Sequence, residues 1–265
     1  MIVSVSDSND ARLEAFRWRD RQLASSTDRK EKVGAGLFVA EGDLVVDRAI
    51  TAGCIPVALL CDESLAERYA SEQPSLTVYC ANEDVRRDVT GLGVPLRAMG
   101  LFQRPPLTSL STLIETSHRI VVAEAIDNPT NLGAIIRSAA ALGWDGIILT
   151  SGSADPLARR ALRVSMGTGL MIPFARLEDS DDVHALLHQH EYRTFSLSPR
   201  IDALDIRSVS VASTDRVAIY LGSERDGLTT ETMQNTDEIV RIPMSSSVDS
   251  LNVGAAAAIA LYALR

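Results

Sequence analysis

The sequence predicts an α/β protein with a doubly wound parallel sheet in its C-terminal part and a smaller α/β unit before it. Three observations carry this. The runs RIVVAEA, DGIILT and RVAIYLG are continuously apolar and of strand length, as in a parallel sheet buried on both faces. They alternate with helical segments over roughly the last 150 residues, the pattern of a doubly wound domain. Between the two parts, residues 103–118 read QRPPLTSLSTLIETSH, where adjacent prolines and several Ser/Thr disfavour helix. The predicted division is therefore residues 1–106, a linker at 107–117, and residues 118–265.

In the first part, Leu13, Phe16 and Leu23 are spaced for one helix face within residues 11–24. Strands are expected at 38–40, 57–61, 76–80 and 96–102. Helices are expected at 44–52, stopped by Gly53, at 64–71, and from Asn82 onward. In the second part, strands fall at 120–125, 146–150, 195–198, 217–221 and 238–242. Helices fall at 132–142, ended by Gly143, at 155–166, and at 250–264.

Composition narrows the classes. Hydrophobic residues are 46% of the 265, enough to offset the entropy of ordering. The apolar run at 253–264 is shorter than the ~20 residues of a membrane helix. Residues 1–20 show no basic start followed by an apolar core, so no signal peptide is expected. Cys54, Cys61 and Cys80 form no C-x-x-C pair and read as reduced thiols of a cytoplasmic protein. The net charge of −9 argues against a protein that coats nucleic acid generally. Residues 12–32 nevertheless carry a local balance of +3, read either as a solvated face or as a phosphate-contacting stretch.

No G-x-x-x-x-G-K-[ST] loop, G-x-G-x-x-G after a strand, or G-x-S-x-G elbow is present. His184 and His188 could share a helix face, but DDVHALLHQHEY holds no H-E-x-x-H, and for these and His190 a wet helix face is expected with no metal. Three segments place polar groups just after apolar strands, where open parallel sheets bind ligands. They are IDNPTNLGAIIR (126–137), LGSERDGL (221–228), and IPM followed by SLNVGAAAA (242–258). Singly, Asn131 and Ser250 also read as helix caps, Arg137 as a surface ion pair, and Gly222 and Gly227 as a turn.

Together and in this order, these motifs resemble the three signatures of the SpoU branch of the SPOUT RNA 2′-O-ribose methyltransferases. The resemblance covers residues 118–265, and DPLARRALRVSMGTGLMIPF between the first two motifs shares it. GLFVAEGDLVVDRAI is similar to the family's substrate-binding domain, a small fold like ribosomal protein L30e, whereas VTGLGVPLRAMGLFQRPP departs from that domain's usual form.

The resemblance implies a C-terminal trefoil knot, bound S-adenosylmethionine, and a homodimer with its active site at the subunit interface. It implies cofactor contacts at Leu197, Gly222, Ile242, Met244 and Leu251, with Ser198 and Ala256 beside them. It implies a catalytic group of Asn131, Arg137, Glu224, Ser250 and Asn252. Arg137 is expected to hold an RNA phosphate and steady developing oxyanion character, since a guanidinium is hard to deprotonate. Glu224 is expected to tie Arg137 or the knot in place, and Asn131 and Asn252 to orient the ribose. Arg17, Arg19, Arg29, Lys30, Arg159, Arg160 and Arg163 are expected to face the rRNA or tRNA substrate. The alternative is an RNA-binding protein of the same fold without transfer activity.

Overall fold

The computed structural model of the chain describes residues 1–24, 35–178, 180–245 and 250–265. It opens with β1 (Ile2–Val5) and two single-turn helices, α1 (Glu14–Arg17) and α2 (Asp20–Leu23). There follow β2 (Leu37–Glu41), α3 (Asp43–Thr51), β3 (Pro56–Cys61), α4 (Glu63–Glu72), β4 (Thr77–Ala81), α5 (Glu83–Thr90) and β5 (Ala98–Gln103). These strands form a mixed five-stranded sheet in the order β1-β4-β3-β5-β2. Neighbours β1, β4 and β3 run parallel, and β5 is antiparallel to both β3 and β2. Asp62 and Asn82 start α4 and α5 by accepting the N–H groups of Leu65 and Val85 at 2.9 and 3.0 Å. Phe16, Leu23, Val39, Leu60, Met99 and Leu101 belong to the core on one face of the sheet.

The chain continues through α6 (Leu110–Thr116), β6 (Arg119–Glu124), α7 (Pro129–Ala141), β7 (Gly146–Leu149), α8 (Arg159–Val164), β8 (Phe174–Arg176) and α9 (Val183–Gln189). It ends with β9 (Tyr192–Leu197), β10 (Leu204–Asp205), β11 (Arg216–Gly222), α10 (Thr230–Asn235), β12 (Glu238–Arg241) and α11 (Val253–Ala263). The second sheet has seven strands in the order β10-β12-β9-β11-β6-β7-β8, and every neighbouring pair is parallel. Side chains alternate between its two faces. Val121, Ala123, Ile147, Val217 and Ile219 pack with α7 and α11, while Ile120, Val122, Ile148, Ala218 and Tyr220 pack with α6 and α9. Because both faces are covered, the strands carry unbroken apolar runs. Helix α11 is further tied down where Trp144 Nε1 donates to the Leu261 carbonyl at 3.1 Å. Among the described residues, no helix is long and apolar enough to cross a membrane.

Contacts divide the chain into two units, Met1–Pro106 with Leu157–Leu170, and Leu107–Pro156 with Met171–Arg265. Two expectations change here. Residues 107–117 are not bare linker, because Ser109 caps α6 by accepting the Thr112 N–H at 3.1 Å and Leu113 and Ile114 are buried. The helix expected at 155–166 starts at Arg159, and its segment folds into the first unit with Leu157, Ala161 and Leu162 buried.

That segment also explains why residues 11–24 are not one helix. Arg159 Nη1 donates hydrogen bonds to the carbonyls of Phe16 and Trp18, at 2.8 and 3.0 Å. A continuous helix would pair those carbonyls with N–H groups four residues on. The chain instead turns between α1 and α2, where Trp18 and Arg19 adopt extended backbone.

Candidate functional site

In the second unit, the segments following β9, β11 and β12 meet the start of α11 around a cavity of about 540 Å³. This lies at the carboxyl ends of parallel strands, and its size suits a small ligand. Leu197, Gly222, Ile242, Met244 and Leu251 all line it, as do Ser198, Glu224, Ser250, Asn252 and Ala256. Its walls combine aliphatic side chains from several strands' ends with half-buried Ser223 and the exposed polar residues 224–226 of the following loop.

That loop doubles back on itself. Gly227 N–H donates to the Ser223 carbonyl at 3.0 Å, and the Asp226 N–H donates to Ser223 Oγ at 3.2 Å. Gly227 has φ +70°, in the left-handed region. A Cβ on Gly222 would stand 2.3 Å from Gly227 C and from Leu228 N. Glycine at 222 is therefore demanded by the loop's own backbone, a stronger constraint than ligand approach.

The loop is held from beneath by Glu124, a residue the sequence reading passed over. Glu124 closes β6 opposite Gly222 in the ladder and is 9% exposed. Its Oε1 accepts the Thr229 N–H at 2.8 Å and its Oε2 accepts the Thr232 hydroxyl at 2.5 Å. A carboxylate ending an otherwise apolar strand was the available signal.

Asn131 and Arg137 do not line the cavity. Asn131 is buried in the first turn of α7, whose cap is Asn128, accepting the Thr130 N–H at 2.9 Å. Asn131 Oδ1 instead accepts from Asn252 Nδ2 at 3.0 Å. Asn252, rather than Ser250, caps α11: its Oδ1 faces the Gly254 and Ala255 N–H groups at 3.0 and 3.4 Å. Gly254 then lets α11 approach α7, since a Cβ there would meet Ala134 Cβ at 3.0 Å. Arg137 lies six residues beyond Asn131, about 240° round the helix at ~100° per residue, so it is exposed where Asn131 is buried. Its side chain has no hydrogen-bond or ion-pair partner among the described residues, so neither the surface ion pair nor the tie to Glu224 is formed.

The arginines expected to face RNA divide. Arg159 and Arg163, in the first unit, both bind Glu41, with Arg159 Nη2 2.6 Å from Oε1. The Arg159 side chain is only 14% exposed, so the open cluster expected from sequence is corrected at these two positions. Burial pulls the Arg159 guanidinium below its ordinary pKa against an opposing effect of Asp20, and Glu41 supplies the buried counter-charge. Arg160 and Arg19 are exposed, and exposed Arg17 donates to the Ser8 carbonyl. Arg29 and Lys30 lie outside the described residues.

His184 stacks on Tyr220 with ring centroids 4.9 Å apart, and its Nδ1 lies 3.0 Å from the tyrosine hydroxyl. Burial lowers the His184 pKa, with Asp182, Glu124 and Glu231 opposing. Among the described residues, no group of three or more His, Cys, Asp or Glu is placed to hold a metal ion.

Comparison with known proteins places this geometry in a family. The SpoU rRNA Methylase family matches residues 118–262, which include all three motifs, two of them lining the cavity. An uncharacterized tRNA/rRNA methyltransferase of Mycobacterium bovis is 35% identical over 98% of this chain and 91% of its own length. The 23S rRNA (guanosine(2553)-2'-O)-methyltransferase RlmP of Bacillus subtilis is 26% identical over 89% of this chain and 92% of its own. The crystal structure of an AdoMet-bound rRNA methyltransferase from Sinorhizobium meliloti superposes with a TM-score of 0.82 at 26% identity, covering 99% of this chain and 97% of that one. The parallel α/β architecture and its sequence motifs thus agree, and the chain belongs to the SpoU rRNA methylase family.

Proposed function

We propose that the protein is an RNA methyltransferase that moves a methyl group from S-adenosylmethionine to a ribose 2′-hydroxyl of rRNA or tRNA. The observation that carries this reading is a cavity lined by two of the family's three motifs, with the first motif tied to it through the Asn131–Asn252 hydrogen bond, in a chain similar along its length to an AdoMet-bound rRNA methyltransferase. The 2′-oxygen specificity rests on the relative RlmP and on the motif set.

The residues present fit the cofactor. Leu197, Ile242 and Leu251 offer apolar walls for an adenosine, Met244 adds a pliable one, and the turn at Gly222 presents backbone. Bound there, S-adenosylmethionine supplies an electrophilic methyl whose leaving group departs as a neutral thioether. The protein's share is mainly alignment of a weak nucleophile. Arg137, exposed and with no hydrogen-bond or ion-pair partner among the described residues, is suited to hold the RNA phosphate and steady negative charge growing on the 2′-oxygen. Asn252, fixed by its cap and by Asn131, orients the ribose beside Ser250. Glu224 stands on the cavity loop, where it shapes the ribose side of the site.

A homodimer of the second unit belongs to the same proposal. Ile259 and Tyr262 leave apolar surface exposed on α11, the kind of face that a second copy covers. Arg137, outside the cavity, is then available to a site completed across the interface. The proposal includes the trefoil knot. The chain goes from β12, beyond β9 in the sheet, back to α11 against α7, a crossover that supports threading. The first unit is proposed as the L30e-like RNA-binding part. Mapping 2′-O-methyl sites in cellular rRNA and tRNA with and without the protein tests the function. Loss of one site in its absence is expected, and an unchanged map with intact cofactor binding would favour an RNA-binding role without transfer.

A further inference from the structure

Glu41 ends β2 in the first unit and is 3% exposed. Arg159 reaches its Oε1 through Nε at 2.8 Å, and Arg163 reaches its Oε2. With Arg159 Nη1 on the carbonyls of Phe16 and Trp18, that guanidinium is fully engaged internally. Removing Glu41 would leave two partly buried cations without their counter-charge, so the cluster is an anchor for residues 157–170.

The anchor has a second effect. The backbone N–H of Arg159 donates to Asp20 Oδ1 at 3.1 Å, joining the start of α8 to α2. Arg19 and Arg21 flank Asp20, and Arg160 follows Arg159, so one hydrogen bond gathers three further arginines. All three are exposed, and none has a side-chain hydrogen-bond or ion-pair partner among the described residues. Residues 14–21, Glu41 and residues 159–163 together hold six arginines against Glu14, Asp20 and Glu41, in a chain whose net charge is −9. The exposed Arg17 and Gln22 nearby are polar, so among the described residues the patch shows no exposed apolar centre of the kind a protein–protein interface carries.

We propose that Arg19, Arg21 and Arg160 form a composite surface for the phosphate backbone of RNA, assembled on the first unit by the Asp20–Arg159 hydrogen bond. The proposal rests on RNA being the substrate. It assigns Arg159 and Arg163 to positioning and the three unpaired guanidiniums to contact. Each guanidinium presents a planar fork that fits phosphate oxygens.

The test uses the full chain and a fluorescein-labelled RNA hairpin, with affinity measured by anisotropy over a salt series. In the combined variant Arg19→Ala, Arg21→Ala and Arg160→Ala, the slope of log affinity against log salt should shrink by about 2–3, at ~0.7–0.9 per lost phosphate contact. Cofactor affinity and melting temperature should stay at the wild-type value. Replacing the same three by lysine keeps the charge and should keep most of the slope. A steep wild-type slope that survives the alanine variant overturns the surface alone. Wild-type protein whose RNA binding shows no salt dependence overturns the surface together with the RNA reading.

Discussion

Asn252 donates its side-chain amide to the side-chain oxygen of Asn131 at 3.0 Å, joining the first turn of α7 to the cap of α11. The orientation follows from the capping geometry. Asn252 Oδ1 already faces two N–H groups of α11, which turns its amide nitrogen toward α7. Two motifs 121 residues apart are thereby held by one side chain, Asn252, that also lines the cavity.

Replacing Asn252 by alanine removes the α11 cap as well as this bond and should cost about 0.5–2 kcal/mol for the cap alone. Asn131→Ala leaves the cap intact but strands the amide of Asn252. A double-mutant cycle by urea unfolding should return a coupling of about 0.5–3 kcal/mol. Strictly additive effects would show that the two helix starts are independent.

Arg137→Ala should slow single-turnover transfer of labelled methyl to RNA by on the order of 10²–10³-fold. Cofactor affinity should be unchanged, because Arg137 lies outside the cavity and binds no described residue. Arg137→Lys should recover little, since an ammonium lacks the planar fork. Near wild-type transfer by the alanine variant would return Arg137 to a surface role.

Gly222 and Leu251 separate loop integrity from ligand space. Gly222→Ala puts a Cβ 2.3 Å from the backbone of the same loop and should lower both melting temperature and cofactor affinity. Leu251→Trp adds bulk at an exposed cavity wall and should reduce cofactor affinity more than tenfold, at about 1.4 kcal/mol per factor of ten, with little change in melting temperature. Calorimetry of both variants checks this. Unchanged affinity in Leu251→Trp would move the cofactor elsewhere.

Glu124→Ala leaves the Thr229 N–H and the Thr232 hydroxyl without their acceptor, a cost of about 1–3 kcal/mol at the buried Thr232 hydroxyl. Faster hydrogen exchange is expected in residues 223–229, with weaker cofactor binding. Glu124→Gln keeps an oxygen opposite the Thr229 N–H and should be intermediate. Equal exchange in the alanine variant and the wild type would show that the loop needs no such support.

Burial lowers the His184 pKa below its ordinary 6.5. The folded protein therefore binds fewer protons here than the unfolded chain. The resulting stability is present above pH 6.5 and lost as pH falls through the folded pKa. Urea midpoints should fall below pH 6.5 in the wild type, and His184→Phe should flatten that part of the profile. An identical profile in the variant would assign the acid sensitivity to other groups.

Sequence legibility followed the range of the interactions. Strands β6, β7 and β11 announced themselves because a sheet covered on both faces leaves continuous apolar runs. The short strands β1, β8 and β10 carry no such run, and their pairing depends on neighbours distant in sequence. The family resemblance pointed to Leu197, Ile242 and Leu251, and the fold brings all three to one cavity. Glu124 was hidden because only the folded loop brings Thr229 and Thr232 to it. The assignment of residues 157–170 to the first unit was equally hidden, since the contacts of Arg159 span 118 to 143 residues.

That discontinuous first unit has a consequence for biosynthesis. Chains leave the ribosome N-terminus first, and domains generally fold as units. Here residues 1–106 emerge with Glu41 still lacking its cations and with the covering surface of Leu157, Ala161 and Leu162 not yet made. The Glu41 contacts of the first unit can form only after Arg159 and Arg163 have been released, when β6, α7 and β7 of the second unit are already outside. Maturation of the two halves is thus interleaved in time, and a chimera spliced at residue 106 would separate Glu41 from the arginines that complete its fold.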